Sequence, residues 1–245
     1  MIEFSGKGIL LDIEGTTSSV SYVYDVLFPY ARKRVEAFLE GNWRAPAVQA
    51  ACDLIARDAG AQSMADWCGD GVSESQARGN VVAEVYKLMD ADVKATGLKE
   101  LQGIIWKEGF EKGELQSHVY PDVAKAFEAW RAAGLDLRIF SSGSVAAQRM
   151  LFAHSRYGNL GSHLQGYYDT RTGPKKEPSS YAAIAADMNL EPEQLLFLSD
   201  VVAELDAAGA AGFTTGLVAR PGNAPAPPGH GHPVITDFEQ VNITN

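Results

Sequence analysis

The sequence predicts a doubly wound α/β fold: a parallel sheet covered by helices on both faces, interrupted by a long helical insertion. Three observations predict it. Short apolar runs end in acids or hydroxyls: Ile9-Leu10-Leu11 before Asp12, Leu135 to Phe140 before Ser141, and Leu195 to Leu198 before Asp200. Such runs read as parallel strands buried on both faces, where polar alternation is lost. From Tyr120-Pro121 onward, strand-like runs alternate with helical patterns, and right-handed crossovers turn that rhythm into one parallel sheet. Between Ser18 and Ser117 the pattern is helical throughout, punctuated by Gly60, Gly71, Gly97 and Gly113.

Taken in order, Ile9 to Leu11 is the first strand. Helical periodicity then covers Tyr30 to Leu39, Ala45 to Ala59, Glu74 to Asp92 and Leu98 to Phe110. Val123 to Ala133 reads as a helix stopped by Gly134, and Leu135 to Phe140 as a strand leading into Ser141-Ser142-Gly143-Ser144. Val145 to Phe152 and Tyr181 to Met188 are helical. Leu195 to Leu198 is a strand, Val202 to Ala211 a helix stopped by Gly212, and Thr214 to Val218 a further strand. The Pro- and Gly-rich stretch from Pro221 to Pro233 is a surface loop. The expected organisation is an α/β catalytic core of residues 1–17 and 118–245, with residues 18–117 as a helical cap, a lid inserted after the first strand.

The chain has 245 residues and a formal net charge of -10. That balance argues against a nucleic-acid or anionic-membrane surface, since both select clustered Lys and Arg. A small anionic substrate remains open, because local cations and a metal can invert the field inside a site. Cys52 and Cys68 have no short metal-ligand spacing and read as free thiols of a reducing compartment. The apolar run near the N-terminus is too short for a signal peptide or a membrane span. The expectation is a monomeric cytoplasmic enzyme. His230-Gly231-His232 lies in the Pro/Gly loop without a third ligand and reads as solvated.

Ligands of open parallel sheets bind at the carboxyl ends of the strands. This sequence places Asp12-Ile13-Glu14-Gly15-Thr16 there, then Ser141 and Ser142, then Lys175 in a loop before a helix, then Asp200 with Glu204 one turn later. Phosphate monoesters are among the slowest biological bonds to hydrolyse, and an anionic substrate repels an anionic nucleophile. A carboxylate such as Asp12 attacks phosphorus only when positive charge neutralises the phosphoryl oxygens. Magnesium held by Asp12 and Asp200 supplies part of that charge. Lys175 supplies another part, and Ser141 and Ser142 supply directional donors. Lys176 adjoins Lys175, so the register of the lysine stays open. Glu14, two positions beyond Asp12, returns to the same face of an extended segment. From there it can protonate the leaving oxygen and then activate water against an aspartyl-phosphate. Gly15 permits the turn out of the strand.

In this order the residues resemble the four motifs of the haloacid-dehalogenase-like phosphatases and, more narrowly, the enolase-phosphatase family of methionine salvage. The resemblance rests on Leu11-Asp12-Ile13-Glu14-Gly15-Thr16-Thr17, where most of the superfamily has Asp in place of Glu14. It continues in Leu101-Gln102-Gly103-Ile104-Ile105-Trp106, Gly113-Glu114-Leu115 and His118-Val119-Tyr120-Pro121-Asp122. Phe140-Ser141-Ser142-Gly143-Ser144, Leu196-Phe197-Leu198-Ser199-Asp200-Val201 and Arg220-Pro221-Gly222-Asn223 complete it. It implies Asp12 as nucleophile and metal ligand, Glu14 lending its backbone carbonyl to the metal, and Asp200 holding that metal. It also implies Ser141 and Ser142 at the substrate phosphate, Lys175 as the motif lysine, and Glu204 one shell out. The implied reaction enolises 2,3-diketo-5-methylthiopentyl-1-phosphate and then removes its phosphate to give an acireductone, with Mg2+ as cofactor. The implied partner is this small phosphate ester.

Three other readings compete. A receiver domain phosphorylated on Asp also combines acids, a hydroxyl and a lysine, but the insertion after the first strand and Glu14 speak against it. A metal-free dehalogenase conflicts with the Asp12 and Asp200 pair. A generic sugar-phosphate phosphatase, with the same chemistry and a different cap pocket, is the main alternative.

Overall fold

The computed structural model describes residues 1–69 and 71–244. The chain divides into two compact units, Met1–Val23 with Gln116–Asn245, and Tyr24–Leu115. These divisions fall at 23/24 and 115/116, where the sequence reading divides at 17/18 and 117/118.

Among the described residues, the first unit is built on eight short strands: β1 (Ile2–Phe4), β2 (Gly8–Leu11), β3 (Asp136–Phe140), β4 (Gly166–Tyr168), β5 (Leu195–Ser199), β6 (Thr214–Val218), β7 (Val234–Ile235) and β8 (Val241–Ile243). Six form one sheet in the order β4-β3-β2-β5-β6-β7, all neighbours parallel. β1 and β8 pair as a separate parallel ribbon, Ile2 opposite Val241. β2 stands in the middle of the large sheet. Leu11 is in register with Ile139 of β3 and with Leu198 of β5. The chain moves to one side of β2 for β3 and β4, and to the other for β5, β6 and β7. The reversal of strand order at β2 opens a crevice at the carboxyl ends.

Burial explains the apolar runs. Ile9 and Leu11 enter one core with Val123, Phe127 and Trp130 of the helix Pro121–Ala132 and Phe152 of the helix Val145–Ala153. Leu10 enters the other, with Tyr181 and Ile184 of the helix Pro178–Met188, Leu205 of the helix Val202–Ala210, and Phe140 and Phe197. Successive side chains of a strand face opposite sides, so a central strand covered on both faces is apolar at every position.

The second unit holds helices Phe28–Asn42, Pro46–Asp58, Met64–Cys68, Glu74–Asp90 and Thr96–Glu111. The short helix Met64–Cys68 has no counterpart in the sequence reading. Val35, Leu39, Cys52, Ile55, Val81, Val85, Leu101 and Ile105 form its core. Gly97 lets two helices meet: a Cβ there would lie 2.3 Å from the Ile55 backbone nitrogen, and its own N–H donates to Asp58 Oδ2 at 2.7 Å.

Candidate active site

Asp12 leaves β2 at the crevice and is 3% exposed. The Ile13 N–H donates to Asp12 Oδ1 at 2.7 Å, and the Lys175 ammonium lies 2.7 Å from the same oxygen. Lys175 also reaches Glu204 Oε2 at 2.6 Å. Ser199, the last residue of β5, lies between the two acids, 3.2 Å from Asp12 Oδ2 and 3.0 Å from Glu204 Oε2. It has one proton, so it donates to one carboxylate at a time. Lys176 is exposed. The loop is phased by Tyr181, whose phenol donates to the Lys175 carbonyl at 2.7 Å from the next helix. The lysine in the site is Lys175.

Glu14 stands on the β3 side. Ser141 donates to Glu14 Oε2 at 3.2 Å, and the Gly143 N–H donates back to Ser141 Oγ at 3.2 Å. Ser142 is exposed, and its hydroxyl takes part in no hydrogen bond among the described residues. The structure therefore gathers Asp12, Lys175, Ser199 and Glu204 into one bonded group and Glu14 with Ser141 into a second, which feels the charges of Asp12 and Lys175, and leaves Ser142 at the solvent edge. Buried Gln148 shapes the serine loop, its amide donating to the Gly143 and Tyr168 carbonyls at 2.8 Å each.

Asp200 lies against Gly15. That glycine has φ +71°, a region costly for residues with a Cβ, and a Cβ there would stand 2.2 Å from Asp200 Oδ2. The loop is braced from behind. Arg220 is buried; its Nε donates to the Thr16 carbonyl at 3.0 Å and its fork grips Asp122 at 3.0 and 2.7 Å. Asn223 Nδ2 donates to the Gly15 carbonyl at 2.9 Å.

The electrostatics follow from crowding. Burial, then the Asp12 charge, pushes the Asp200 carboxyl up to about 7, and the same two causes in the same order push Glu204 up to about 7. Glu14 is raised by burial and by Asp12. Burial alone would lower Lys175, but the charges of Asp12 and Glu204 outweigh it and hold the ammonium above its ordinary value.

Four carboxyl groups share the crevice with this ammonium, a charge balance that a divalent cation would correct. No three His, Cys, Asp or Glu side chains converge as a ligand set among the described residues. The donors at hand are instead the Asp12 and Asp200 carboxylates and one carbonyl. Ile13 O is taken by three N–H groups, Asp12 O by Thr17 Oγ1, Gly15 O by Asn223 and Thr16 O by Arg220. Glu14 O has no donor among the described residues. Two carboxylates, a bare carbonyl and water suit a cation that keeps much of its hydration.

His232 is spoken for: Thr215 Oγ1 lies 2.8 Å from its Nδ1 and Asp206 Oδ1 3.0 Å from its Nε2. The sequence alone points to no role for Ser199 or Asn223. Ser199 carried one signal, a lone hydroxyl in an otherwise apolar strand.

Comparison with known proteins agrees with this arrangement. Residues 7–212 match the family model of the haloacid dehalogenase-like hydrolases. The enolase-phosphatase E1 of Synechococcus elongatus is 50% identical over 219 residues, 88% of this chain and 90% of the relative. That of Methylococcus capsulatus is 45% identical over 235 residues, 96% of this chain and 97% of its own. Among solved structures, the UTR4 protein of Saccharomyces cerevisiae superimposes with a TM-score of 0.79 at 34% identity, over 96% of this chain and 100% of that one. The fold and the acid-rich crevice define a haloacid dehalogenase-like hydrolase. Within that class, the chain belongs to the enolase-phosphatase E1 family.

Proposed function

We infer that the chain enolises 2,3-diketo-5-methylthiopentyl-1-phosphate and then hydrolyses it to the acireductone 1,2-dihydroxy-3-keto-5-methylthiopentene and phosphate, a step of methionine salvage. The observation that carries this reading is the identity to enolase-phosphatase relatives along nearly the whole chain, helical unit included.

Asp12 is the nucleophile, and its attack on phosphorus gives an aspartyl-phosphate. Lys175 neutralises Asp12 and the incoming phosphoryl group, and is itself held by Glu204. Ser141 and Ser142 donate to the substrate phosphate, Ser142 from the exposed edge that an entering ligand meets. Glu14, whose raised affinity for a proton suits a general acid, protonates the leaving oxygen and then takes a proton from the water that opens the aspartyl-phosphate. Asp12, Asp200 and the Glu14 carbonyl would hold Mg2+. When bound, that cation neutralises phosphoryl oxygens and polarises a substrate carbonyl. The α/β unit carries the chemistry, and the helical segment is a cap that supplies the apolar pocket for the methylthio group.

The chain acts as a monomer in the cytoplasm. No helix among the described residues is long and apolar enough to cross a membrane. The test supplies the diketo phosphate with and without magnesium and follows both the ultraviolet band of the enol and free phosphate. Both signals are expected, and only with magnesium. Indifference to the diketone with efficient hydrolysis of ordinary sugar phosphates would replace this reading with a generic sugar-phosphate phosphatase.

A further inference from the structure

We propose that Asn223 is a positioning residue of the metal site, setting its affinity for a divalent cation without being a ligand. This rests on the reading that Asp12 and Asp200 hold a cation.

Asn223 lies five residues beyond the end of β6, in the Pro/Gly-rich loop. Its Nδ2 donates to Gly15 O at 2.9 Å and to Val218 O at 3.2 Å. Both amide hydrogens are used on carbonyls, so the orientation of the amide is decided by its partners and Oδ1 is an acceptor. One consequence concerns the backbone. Asn223 ties the Gly15 carbonyl, Arg220 the Thr16 carbonyl, and the Gly15 N–H donates to Ser18 O at 2.8 Å, so the turn after Glu14 is held and the Glu14 carbonyl stays without a donor among the described residues.

The second consequence concerns Oδ1 itself. It is buried and has no hydrogen-bond partner. A Cβ built on Gly15 would lie 2.2 Å from Asp200 Oδ2 and 3.0 Å from Asn223 Oδ1, so both oxygens border the same space beside Gly15. Two acceptors that border one space, one carrying negative charge, repel each other, and a buried acceptor without a donor costs more than an ordinary hydrogen bond contributes. A hydrated cation on Asp200 removes both penalties: its charge offsets the carboxylate, and its water hydrogens are the donors Oδ1 lacks. Asn223 thus favours the cation-bound state over the free one. Partners just outside the ligands of a metal are typically worth about 10–100-fold in its affinity.

The test is calorimetric titration of Mg2+ into the metal-stripped chain without substrate, paired with melting temperatures in chelator and in magnesium. Asn223→Ala is expected to weaken Mg2+ binding about tenfold or more. Its melting temperature should fall further below that of the unmodified chain in magnesium than in chelator. Pro221→Ala, in the same loop, should bind as the unmodified chain does. If Asn223→Ala does not fold, Asn223→Ser is read in its place. Asp200→Asn separates the role of Asn223 from the metal site itself. Should it lose Mg2+ binding while the Asn223 variant keeps it, the role of Asn223 is overturned and the metal reading stands. Should Asp200→Asn bind as before, the metal reading fails and takes this proposal with it. Equal losses of melting temperature in chelator and in magnesium would reduce Asn223 to a brace of the fold and overturn the proposal.

Discussion

The Lys175 ammonium stands 2.7 Å from Asp12 Oδ1, deep in the crevice, while the adjacent Lys176 faces solvent. Lys175→Ala should therefore lower phosphate release by about a hundredfold or more, the scale of a lost charge-assisted contact in a dry site. Lys176→Ala should leave the rate near that of the unmodified chain. Steady-state phosphate release of the two variants checks this, and equal effects would contradict the geometry.

Removal of metal should abolish phosphate release, and magnesium should restore it. Calcium should restore it poorly, because its longer bonds and larger shell displace nucleophile from phosphorus. Full activity in excess chelator would show that Asp12 and Asp200 serve without a cation.

Asp12→Asn should separate the two steps. Enolisation requires a polarised carbonyl and a base but no nucleophile on phosphorus, and Asn keeps one oxygen in place. Given the diketo phosphate, the variant should develop the ultraviolet band of an enol and release no phosphate. Metal content is measured alongside. A variant that retains metal yet neither enolises nor accumulates an intermediate would show that the steps are not separable at Asp12.

Gly15→Ala should damage the site more than the fold. The positive φ costs a residue with a Cβ about 1–2 kcal/mol, while the added methyl displaces Asp200 Oδ2 from 2.2 Å away. Activity and Mg2+ affinity should both collapse, with a melting temperature in chelator only a few degrees lower, about what a loss of that size produces.

His118 offers a stability test in acid. The Ser19 N–H donates to its Nδ1 at 3.1 Å, Tyr120 packs edge-on at 4.9 Å and Tyr22 lies beyond. Burial, then the charges of Arg156 and Arg220, lower it from its ordinary value of 6.5. The folded state thus prefers the neutral ring, and the unfolded chain binds the proton more readily. The contribution of His118 is complete above about 6.5 and is lost as pH falls below that toward the folded value. Urea midpoints at pH 7.5 and 5.5 should separate more for the unmodified chain than for His118→Asn, which does not titrate. Equal separations would remove His118 from the acid response.

Much of the site was legible in the sequence because it is built from local patterns. A strand covered on both faces is apolar without interruption, so the polar residues at its carboxyl end stand out, as Asp12, Ser141 and Asp200 do. Glu14 followed from the two-residue period of an extended segment, and the helical unit from its periodicity. Other features depend on residues far apart in the chain. β1 and β8 are too short to show a period, and each exists through pairing with the other. The strand order around β2, which sets Glu14 beside Ser141 and Lys175 beside Glu204, arises from crossovers that no local window contains. Lys175 and Lys176 are chemically identical as letters. The choice between them was made by Tyr181, which holds the Lys175 carbonyl from the following helix and so turns one ammonium inward and leaves the other in water. Ser199 and Asn223 acquire meaning only from neighbours across the sheet, Asp12 and Gly15, because a hydrogen bond depends on distance in space and not on separation along the chain.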